Sequence, residues 1–383
     1  MHLCYLSNEY PKPGHAHGGI GSFLKVICPA LVAAGHHVTV INGTYGLRES
    51  VVREGVNIIY TPFSTKKGIA WWQNFKALNS EIKALHHTQP IDVIEGSELG
   101  FAFLDKIDGI AYVIRLHGGH HFFAEGEQRP INAWKGFQEK RSFKKADGFI
   151  AVSQYVANHT AKFLPMTSKP LKVIMYPINL KMFTPSSFEQ MTPYRLVFAG
   201  TLIEKKGIRQ LVEAMKSIVE RFPDTELYAY GRDWKDAYGN SYLEKLQQTI
   251  PPSLKSKIHF PGSVDQTDLP SIYEKANLCV FPSHIETLGL VAPEAMAMQR
   301  PVLYTTTGPG PEVITHGESG WLCNPHDAAD IADKVIEVFS NPEESRRRAK
   351  VGLDKVDFQF NVSNILGQNL DFYSQVIESK KGA

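Results

Sequence analysis

Cysteine is scarce. The four thiols, Cys4, Cys28, Cys279 and Cys323, are spread over 383 residues, none in a Cys-x-x-Cys pair. That excludes a disulfide-stapled scaffold and gives no zinc-ligand spacing. Buried, reduced thiols of a cytoplasmic protein are expected instead. No run of about 18 apolar residues occurs, so no membrane-spanning helix is expected. The opening Met1-His2-Leu3-Cys4-Tyr5-Leu6-Ser7 lacks a charged stretch followed by a long apolar one, so a secretion signal is not expected either. Net charge is small: 41 Lys+Arg face 39 Asp+Glu, for +2. A chain that tracks nucleic-acid phosphates would carry a larger excess, so no nucleic-acid partner is expected. Asp-x-Asp is missing altogether, and a Mg²⁺ or Mn²⁺ held by such a pair is not expected.

What is present is ordinary for a globular chain: 43% hydrophobic and 21% charged residues. At roughly 150 residues per domain the length implies two to three domains. The charge is unevenly divided. Residues 1–190 hold 20 Lys/Arg against 14 Asp/Glu, and residues 191–383 hold 21 against 25.

Short apolar runs alternate with helical patterns, twice over. Strands are expected at 3–7, 38–42, 56–60, 93–95, 111–116, 148–152 and 171–175, with helices near 20–34, 69–87, 131–146 and 153–163. Pro185, Ser186, Ser187 and Pro193 then break the pattern. A second series follows, with strands at 195–199, 227–230, 258–260, 278–281, 301–304 and 320–322. Its helices fit at 207–221, 268–276, 289–299, 326–340 and 342–356. Strands this apolar, separated by helices, imply parallel sheets covered on both faces. The fold class is α/β, with two doubly wound Rossmann-like domains, and ligands in such sheets bind outside the carboxyl ends of the strands.

Four motifs sit at such strand ends. Gly18-Gly19-Ile20-Gly21 opens a helix, where close backbone approach and free N–H groups suit a phosphate. A tight loop that only turns the chain is the alternative. Phe198-Ala199-Gly200-Thr201 runs into Lys205-Lys206-Gly207, where lysines can neutralise a pyrophosphate or simply face water. Phe281-Pro282-Ser283-His284-Ile285-Glu286 continues through Thr287-Leu288-Gly289-Leu290 to Glu294 in a helix. Two carboxylates beside helix amides suit a polyhydroxylated, phosphorylated ligand. Finally, His117-Gly118-Gly119 follows a strand, which aims a histidine toward a cleft or leaves it as a satisfied structural residue.

Taken in order, these residues resemble the retaining GT-B glycosyltransferases of family 4, the group 1 glycosyl transferases. The resemblance adds Leu31 to Val38, Ala151-Val152-Ser153, Tyr176-Pro177-Ile178-Asn179, Arg300-Pro301-Val302, and Thr307 to Glu312. It spans nearly the whole chain. It implies an acceptor-binding domain at 1–185, a donor-binding domain at 194–360, and a last helix at 361–383 crossing back to the first domain. The two domains would face each other across a cleft. The implied reaction moves a hexosyl group from a nucleotide-diphosphate sugar, a co-substrate rather than a cofactor, to an acceptor hydroxyl with retained configuration. By position, Gly18, Gly19 and Gly21 would lie near the donor phosphates and His117 near the transferred sugar. Lys206 would hold the pyrophosphate. Glu286, with backbone amides around Thr287, Leu288, Gly289 and Leu290, would hold sugar hydroxyls. Glu294 would bind the ribose, and Val264 would mark the base. A sugar-nucleotide epimerase, a phosphorylase and a non-catalytic sugar-nucleotide-binding module are the rival readings.

The sequence departs from the family where an arginine is common: Thr201 stands there. Lys205, Arg209 or Arg232 would then supply the missing cation, with Lys205 preferred for its place in the same loop. Among weaker signals, aromatics are dense from Trp71 to Phe137. Ile69, Trp72, Phe75, Ile82 and Leu85 fit a helix core stripe, and most of these aromatics are expected in the core. Lys66-Lys67 ahead of Trp71-Trp72 allows peripheral contact with an anionic membrane, against the plainer reading of a solvated turn. His15 and His17, with His117, His120 and His121, lack strict metal-ligand spacing, and no metal is expected.

Overall fold

The computed structural model describes residues 1–12, 18–166 and 168–382. His15 and His17 lie outside the described residues. The chain forms two compact units, one of Met1–Pro177 with Val362–Ala383, the other of Ile178–Asn361.

The first unit holds β1 (His2–Leu6), α1 (Gly19–Ala33), β2 (His37–Thr44), β3 (Glu49–Arg53), β4 (Val56–Pro62), α2 (Ala70–Thr88), β5 (Val93–Gly96), β6 (Ala111–Leu116), α3 (His120–Gly126), α4 (Ala133–Lys145), β7 (Gly148–Ala151), α5 (Gln154–Ala161) and β8 (Leu171–Val173). Its sheet runs in the order β3-β4-β2-β1-β5-β6-β7-β8. All pairs are parallel except β3 with β4. The second unit holds β9 (Arg195–Ala199), α6 (Ile208–Arg221), β10 (Glu226–Tyr230), α7 (Tyr242–Thr249), β11 (Ile258–Gly262), α8 (Leu269–Glu274), β12 (Leu278–Phe281), α9 (Val291–Ala297), β13 (Val302–Thr305), α10 (Gly310–Val313), β14 (Trp321–Cys323), α11 (Ala328–Ser340) and α12 (Pro342–Gln359). Its sheet is wholly parallel, in the order β11-β10-β9-β12-β13-β14. The last helix, α13 (Val362–Lys381), groups with the first unit.

Both sheets reverse direction of build beside their first strand. β1 lies between β2 and β5, and β9 between β10 and β12. The crossovers on either side lie on opposite faces, so a crevice opens at the carboxyl ends of those strands. The core follows from the apolar runs. In α6, Leu211, Met215 and Ile218 recur at helical spacing and are fully buried with Leu196, Leu278 and Trp321. Burying each such side chain stabilises by about 1.5–3 kcal/mol. All four cysteines are free and buried.

A buried polar network ties α13 to its sheet. Arg115 donates to both Glu95 carboxylate oxygens at 2.7 and 3.0 Å, and the Tyr373 hydroxyl donates to Glu95 at 2.6 Å. Arg115 also donates to the Asn369 side-chain oxygen. An unpaired charge at such depth would be costly, so the groups have to be placed together. Gly148 permits the helix its approach, since a Cβ there would stand 2.7 Å from Val376 Cγ2.

Three expectations differ from the structure. The units divide at Pro177 and Ile178, short of the turn residues at 185–194. The segment after 178 bonds into the second unit: Arg300 donates to Ser186 Oγ at 2.6 Å and Thr192 N donates to Lys275 O at 3.0 Å. β3, α3, α7 and α10 are elements absent from the sequence reading. The aromatics of 71–137 are mostly not core. Phe101 and Phe122 are buried, but Trp71, Trp72, Trp134 and Phe137 are exposed, as is Ile69. α2 flanks β4, and Ile82 is its buried residue. The first turns of α2 and α4 instead bring their aromatic rings together at the surface.

Candidate active site

In the second unit the site grows from the ends of β9 and β12. Gly200 leaves β9, and Glu204–Lys206 forms a short 3-10 turn closed by Gly207 in the left-handed region at φ 70°. A Cβ on Gly207 would stand 1.8 Å from the Pro282 carbonyl oxygen, so glycine lets this turn dock against the end of β12. His284 N donates to Lys205 O at 2.9 Å and fixes the same contact from the other side. The consequence is chemical. Lys206 Nζ donates to Glu286 Oε1, and Ser283 Oγ reaches the same oxygen at 3.1 Å.

The loop beyond Glu286 is shaped by Gly289, which is left-handed at φ 77° and lies against the Tyr304 hydroxyl. That hydroxyl donates to Leu288 O at 2.9 Å, and Leu288 is fully buried. Thr307 Oγ1 donates to Ser283 O and His284 O at 3.3 and 3.2 Å. Helix α9 begins at Val291, so Thr287 to Leu290 form the loop before it. Glu294 lies in the helix's first turn and is buried. Burial pushes its carboxyl up to about 8, against the lowering effect of a hydrogen bond from Gln266 Nε2 at 3.1 Å. Val264 sits in the loop just before Gln266 and is half-buried.

Of the three cations considered for the gap at Thr201, Arg209 is committed elsewhere. It donates to Glu204 at 2.8–3.1 Å and to Glu213 at 2.7 Å. Arg232 is exposed after β10, and its carbonyl accepts from Leu202 N at 2.9 Å. Lys205 is half-buried in the turn itself.

In the first unit, a cavity of about 390 Å³ opens where β1 and β5 end, lined by Ser7, Asn8, Glu9, Gly96, Ser97 and His117 among others. His117 follows β6. Its Nδ1 meets the Tyr176 hydroxyl, and Phe23 packs on the Tyr176 ring at 5.1 Å. Burial, with Arg115 adding its positive charge, lowers the imidazole to about 3, so the ring is neutral near pH 7.

The loop that carries His117 is held by two buried carboxyls. Glu98 accepts from Gly118 N at 2.8 Å, and Glu139 accepts from His120 N and His121 N at 2.8 and 3.0 Å. Burial, then the neighbouring Glu139, pushes Glu98 up to about 8 despite its backbone hydrogen bonds. The sequence reading missed Glu98, Glu139, Ser283 and Thr307. Of these, Ser283 and Thr307 stood within quoted motifs, without a role assigned to either. Gly18, Gly19 and Gly21 begin α1 as expected, but Glu9 already accepts a hydrogen bond from the Gly21 amide. A phosphate at that amide would have to displace this carboxylate. Among the described residues no cluster of three His, Cys, Asp or Glu side chains is arranged to hold a metal ion.

The family model for "Glycosyltransferase Family 4" matches residues 17–181, and that for "Glycosyl transferases group 1" matches residues 183–353. The chain belongs to the group 1, family 4 glycosyltransferases, built on the GT-B fold. This glycosyltransferase is 27% identical to an uncharacterized glycosyltransferase of Methanocaldococcus jannaschii, over 99% of each chain. Among solved structures, sucrose-phosphate synthase from Thermosynechococcus elongatus matches with a TM-score of 0.83 at 22% identity, covering 99% of each chain. The Anabaena protein HepE in complex with UDP-glucose matches with a TM-score of 0.76 at 16% identity, covering 98% of this glycosyltransferase and 100% of HepE.

Proposed function

We propose that this glycosyltransferase moves a hexosyl group from a nucleotide-diphosphate sugar to an acceptor hydroxyl, with retention and without a metal ion. The observation that carries the reading is the meeting of Lys206, Glu286 and Ser283 at the β9/β12 strand ends. An ammonium group there can take up the charge that grows on a departing diphosphate. A single preorganised contact of this kind contributes a factor of about 10²–10³. Glu286 then accepts from sugar hydroxyls, and buried Glu294 from the ribose. The solved complex of HepE with UDP-glucose supports this donor class.

Same-face substitution fits these groups. The bond from the anomeric carbon to the phosphate oxygen breaks, and the acceptor oxygen bonds to the carbon on that same face. The departing phosphate oxygen takes the acceptor's proton. No separate strong base is needed, and His117, neutral at pH 7, serves as a hydrogen-bond partner for the transferred sugar. Lysine charge and backbone amides take the place of a metal. The acceptor class remains a sugar-bearing or otherwise hydroxylated molecule, and the acceptor belongs to the first unit.

The test is a panel of nucleotide sugars and acceptors, with the anomeric configuration of the product read by NMR and the rate read with and without EDTA. Retained configuration and an EDTA-insensitive rate are expected, and Glu286→Gln should lose rate while keeping the configuration. A glycosyl ester trapped on Glu286 would overturn same-face substitution. Donor turnover without acceptor would favour an epimerase, dependence on free phosphate a phosphorylase, and donor binding without turnover a binding module.

A further inference from the structure

Two helix starts in the first unit carry apolar side chains that the fold does not bury. Ile69, Trp71 and Trp72 stand at the start of α2, and Ile131, Trp134 and Phe137 at the start of α4. Trp72, Trp134 and Phe137 are 51%, 45% and 50% exposed. Three of these side chains, Trp71, Trp134 and Phe137, gather around Phe103. Trp71 packs edge-on to Trp134 at 5.5 Å, and both contact Phe103, at 4.6 and 5.7 Å. Trp134 stacks on Phe137 at 5.8 Å. An exposed tryptophan alone is unremarkable in a folded chain, but six large apolar side chains gathered on two neighbouring helix starts are not.

The charge around them has one prevailing sign. Lys66 and Lys67 precede α2, Lys76 lies over the Trp72 ring at 5.1 Å, and Lys135 and Lys140 rise from α4 between and beyond its aromatics. Arg141 covers Phe103 at 5.4 Å. The carboxylates facing the same region are engaged. Glu139 is buried under backbone amides, Glu127 pairs with Arg129, and Asp105 pairs with Lys83.

We propose that this face of the first unit docks on an anionic lipid bilayer. Tryptophan and phenylalanine settle at the headgroup level, and each lysine near the surface adds attraction to anionic headgroups. Rings that stack and tilt on one another have their faces partly covered, which suits insertion among headgroups and acyl carbons better than receipt of the flat face of a sugar. The positive rim supplies the charge complement. The surface is also continuous with the cavity of the first unit, since Trp71 lines both. An amphiphilic acceptor held in the bilayer surface would therefore lie beside the cavity mouth. That last consequence rests on the proposed transfer reaction, whereas the docking itself does not.

The experiment is vesicle cosedimentation of the full chain without donor or acceptor, so its failure and the failure of the transfer reading are separable. The probes are phosphatidylcholine vesicles with and without 30 mol% phosphatidylglycerol. The wild type should partition to the anionic vesicles and not to the neutral ones. Trp72→Ala with Trp134→Ala, and separately Lys66→Glu with Lys67→Glu, should each lower the partition coefficient by about tenfold or more. All four positions are exposed, so the variants should keep the wild-type circular dichroism and melting temperature. Trp234→Ala, exposed on the second unit, should bind as wild type. No binding to anionic vesicles, equal binding to neutral ones, or unchanged binding by either variant would overturn the proposal. So would a dimer, seen by light scattering, that the same substitutions dissolve.

Discussion

The two units share an architecture and use it in opposite ways. In the second, charged side chains meet each other at the strand ends: Lys206 engages Glu286, with Ser283 on the same oxygen. In the first, carboxylates brought from other elements bond to backbone amides: Glu98 to Gly118, Glu139 to His120 and His121, and Glu9 to Gly21. One unit thus keeps a cation and an anion in contact, ready to exchange partners with a ligand. The other has these four amide donors satisfied already, and what it offers a ligand is the cavity and a neutral histidine. The difference shows that a glycine-rich strand end is not by itself an anion site. What decides is whether the fold has supplied an anion of its own.

The strongest way to break this comparison is at Lys206. Lys206→Ala should lower kcat/KM for transfer by about 10²–10³, the loss expected for one preorganised contact to the leaving group. Glu286→Gln should cost less, about 10- to 100-fold, because it retains one hydrogen-bonding oxygen. The double variant should fall short of the product of the two losses, since the residues touch. Steady-state kinetics on all three variants checks the coupling. Independent, multiplying losses would mean that the pair does not act as a unit.

Next comes the docking of the two loops. Gly207→Ala places a Cβ in the left-handed region, 1.8 Å from the Pro282 carbonyl oxygen. The backbone strain alone costs about 1–3 kcal/mol, and the contact adds to it. Gly35→Ala meets the same backbone conformation at φ 85° with nothing within 4 Å, so it should cost the strain alone. Urea unfolding of the two variants, followed in both units, should show the larger loss at Gly207. Equal losses would mean that the turn is free to move away from β12.

Each unit also buries one carboxyl at high pKa, which allows a comparison by pH. Burial raises Glu98 and Glu294 from the ordinary 4.5 to about 8. Between 4.5 and 8 the folded chain holds protons that the unfolded chain has released. Stability should therefore fall as pH rises through that window. His117 acts in the other direction. Its pKa drops from 6.5 to about 3, so below 6.5 the unfolded chain gains a proton that the folded one refuses, and stability falls toward acid. Unfolding midpoints measured from pH 5 to 8 should flatten on the alkaline side in Glu98→Gln and in Glu294→Gln. An unchanged slope in either variant would show that its carboxyl is already ionised in the folded chain.

The contrast also marks where sequence reasoning stops. The strands of both sheets were legible because each is a short apolar run between helical patterns. β3 was not, since Glu49-Ser50-Val51-Val52-Arg53 is brief, mostly exposed and antiparallel at the sheet edge. The helix expected from 289 starts at Val291, because Gly289 is left-handed and turns the loop first. In the same way Gly207 stands outside α6. Within the candidate site, Lys206 and Glu286 carried a local pattern, and their contact across 80 residues needed the sheet order to bring β9 beside β12. Glu98 and Glu139 carried none. A lone glutamate in a loop or on a helix reads as a solvated charge, and only the packing of β5, β6 and α4 turns each into an acceptor for the His117 loop. The exposed aromatics failed for a related reason: helical spacing gives a stripe but not which way it faces.

The smallest expected effect sharpens the comparison at Thr201, where the resemblance leads one to expect an arginine. Arg209 lies near enough in sequence to serve as its substitute, yet its guanidinium is spread over Glu204 and Glu213, at a side-chain exposure of 41%. Exposed pairs of this kind contribute about 0–1 kcal/mol, because water screens the charges and two long side chains must be held still. Arg209→Ala should therefore change donor KM by less than about twofold and stability by less than about 1 kcal/mol. Lys205 is different in placement. Its backbone is fixed by His284 in the turn that also carries Lys206, so a charge here follows the turn wherever the donor meets it. Lys205→Ala should raise donor KM by about three- to tenfold with kcat largely kept, as loss of binding shared by ground and transition states requires. If Arg209→Ala instead shows the larger KM effect, the Glu204–Arg209 pair must open when donor binds, and the second unit would exchange ion-pair partners twice rather than once.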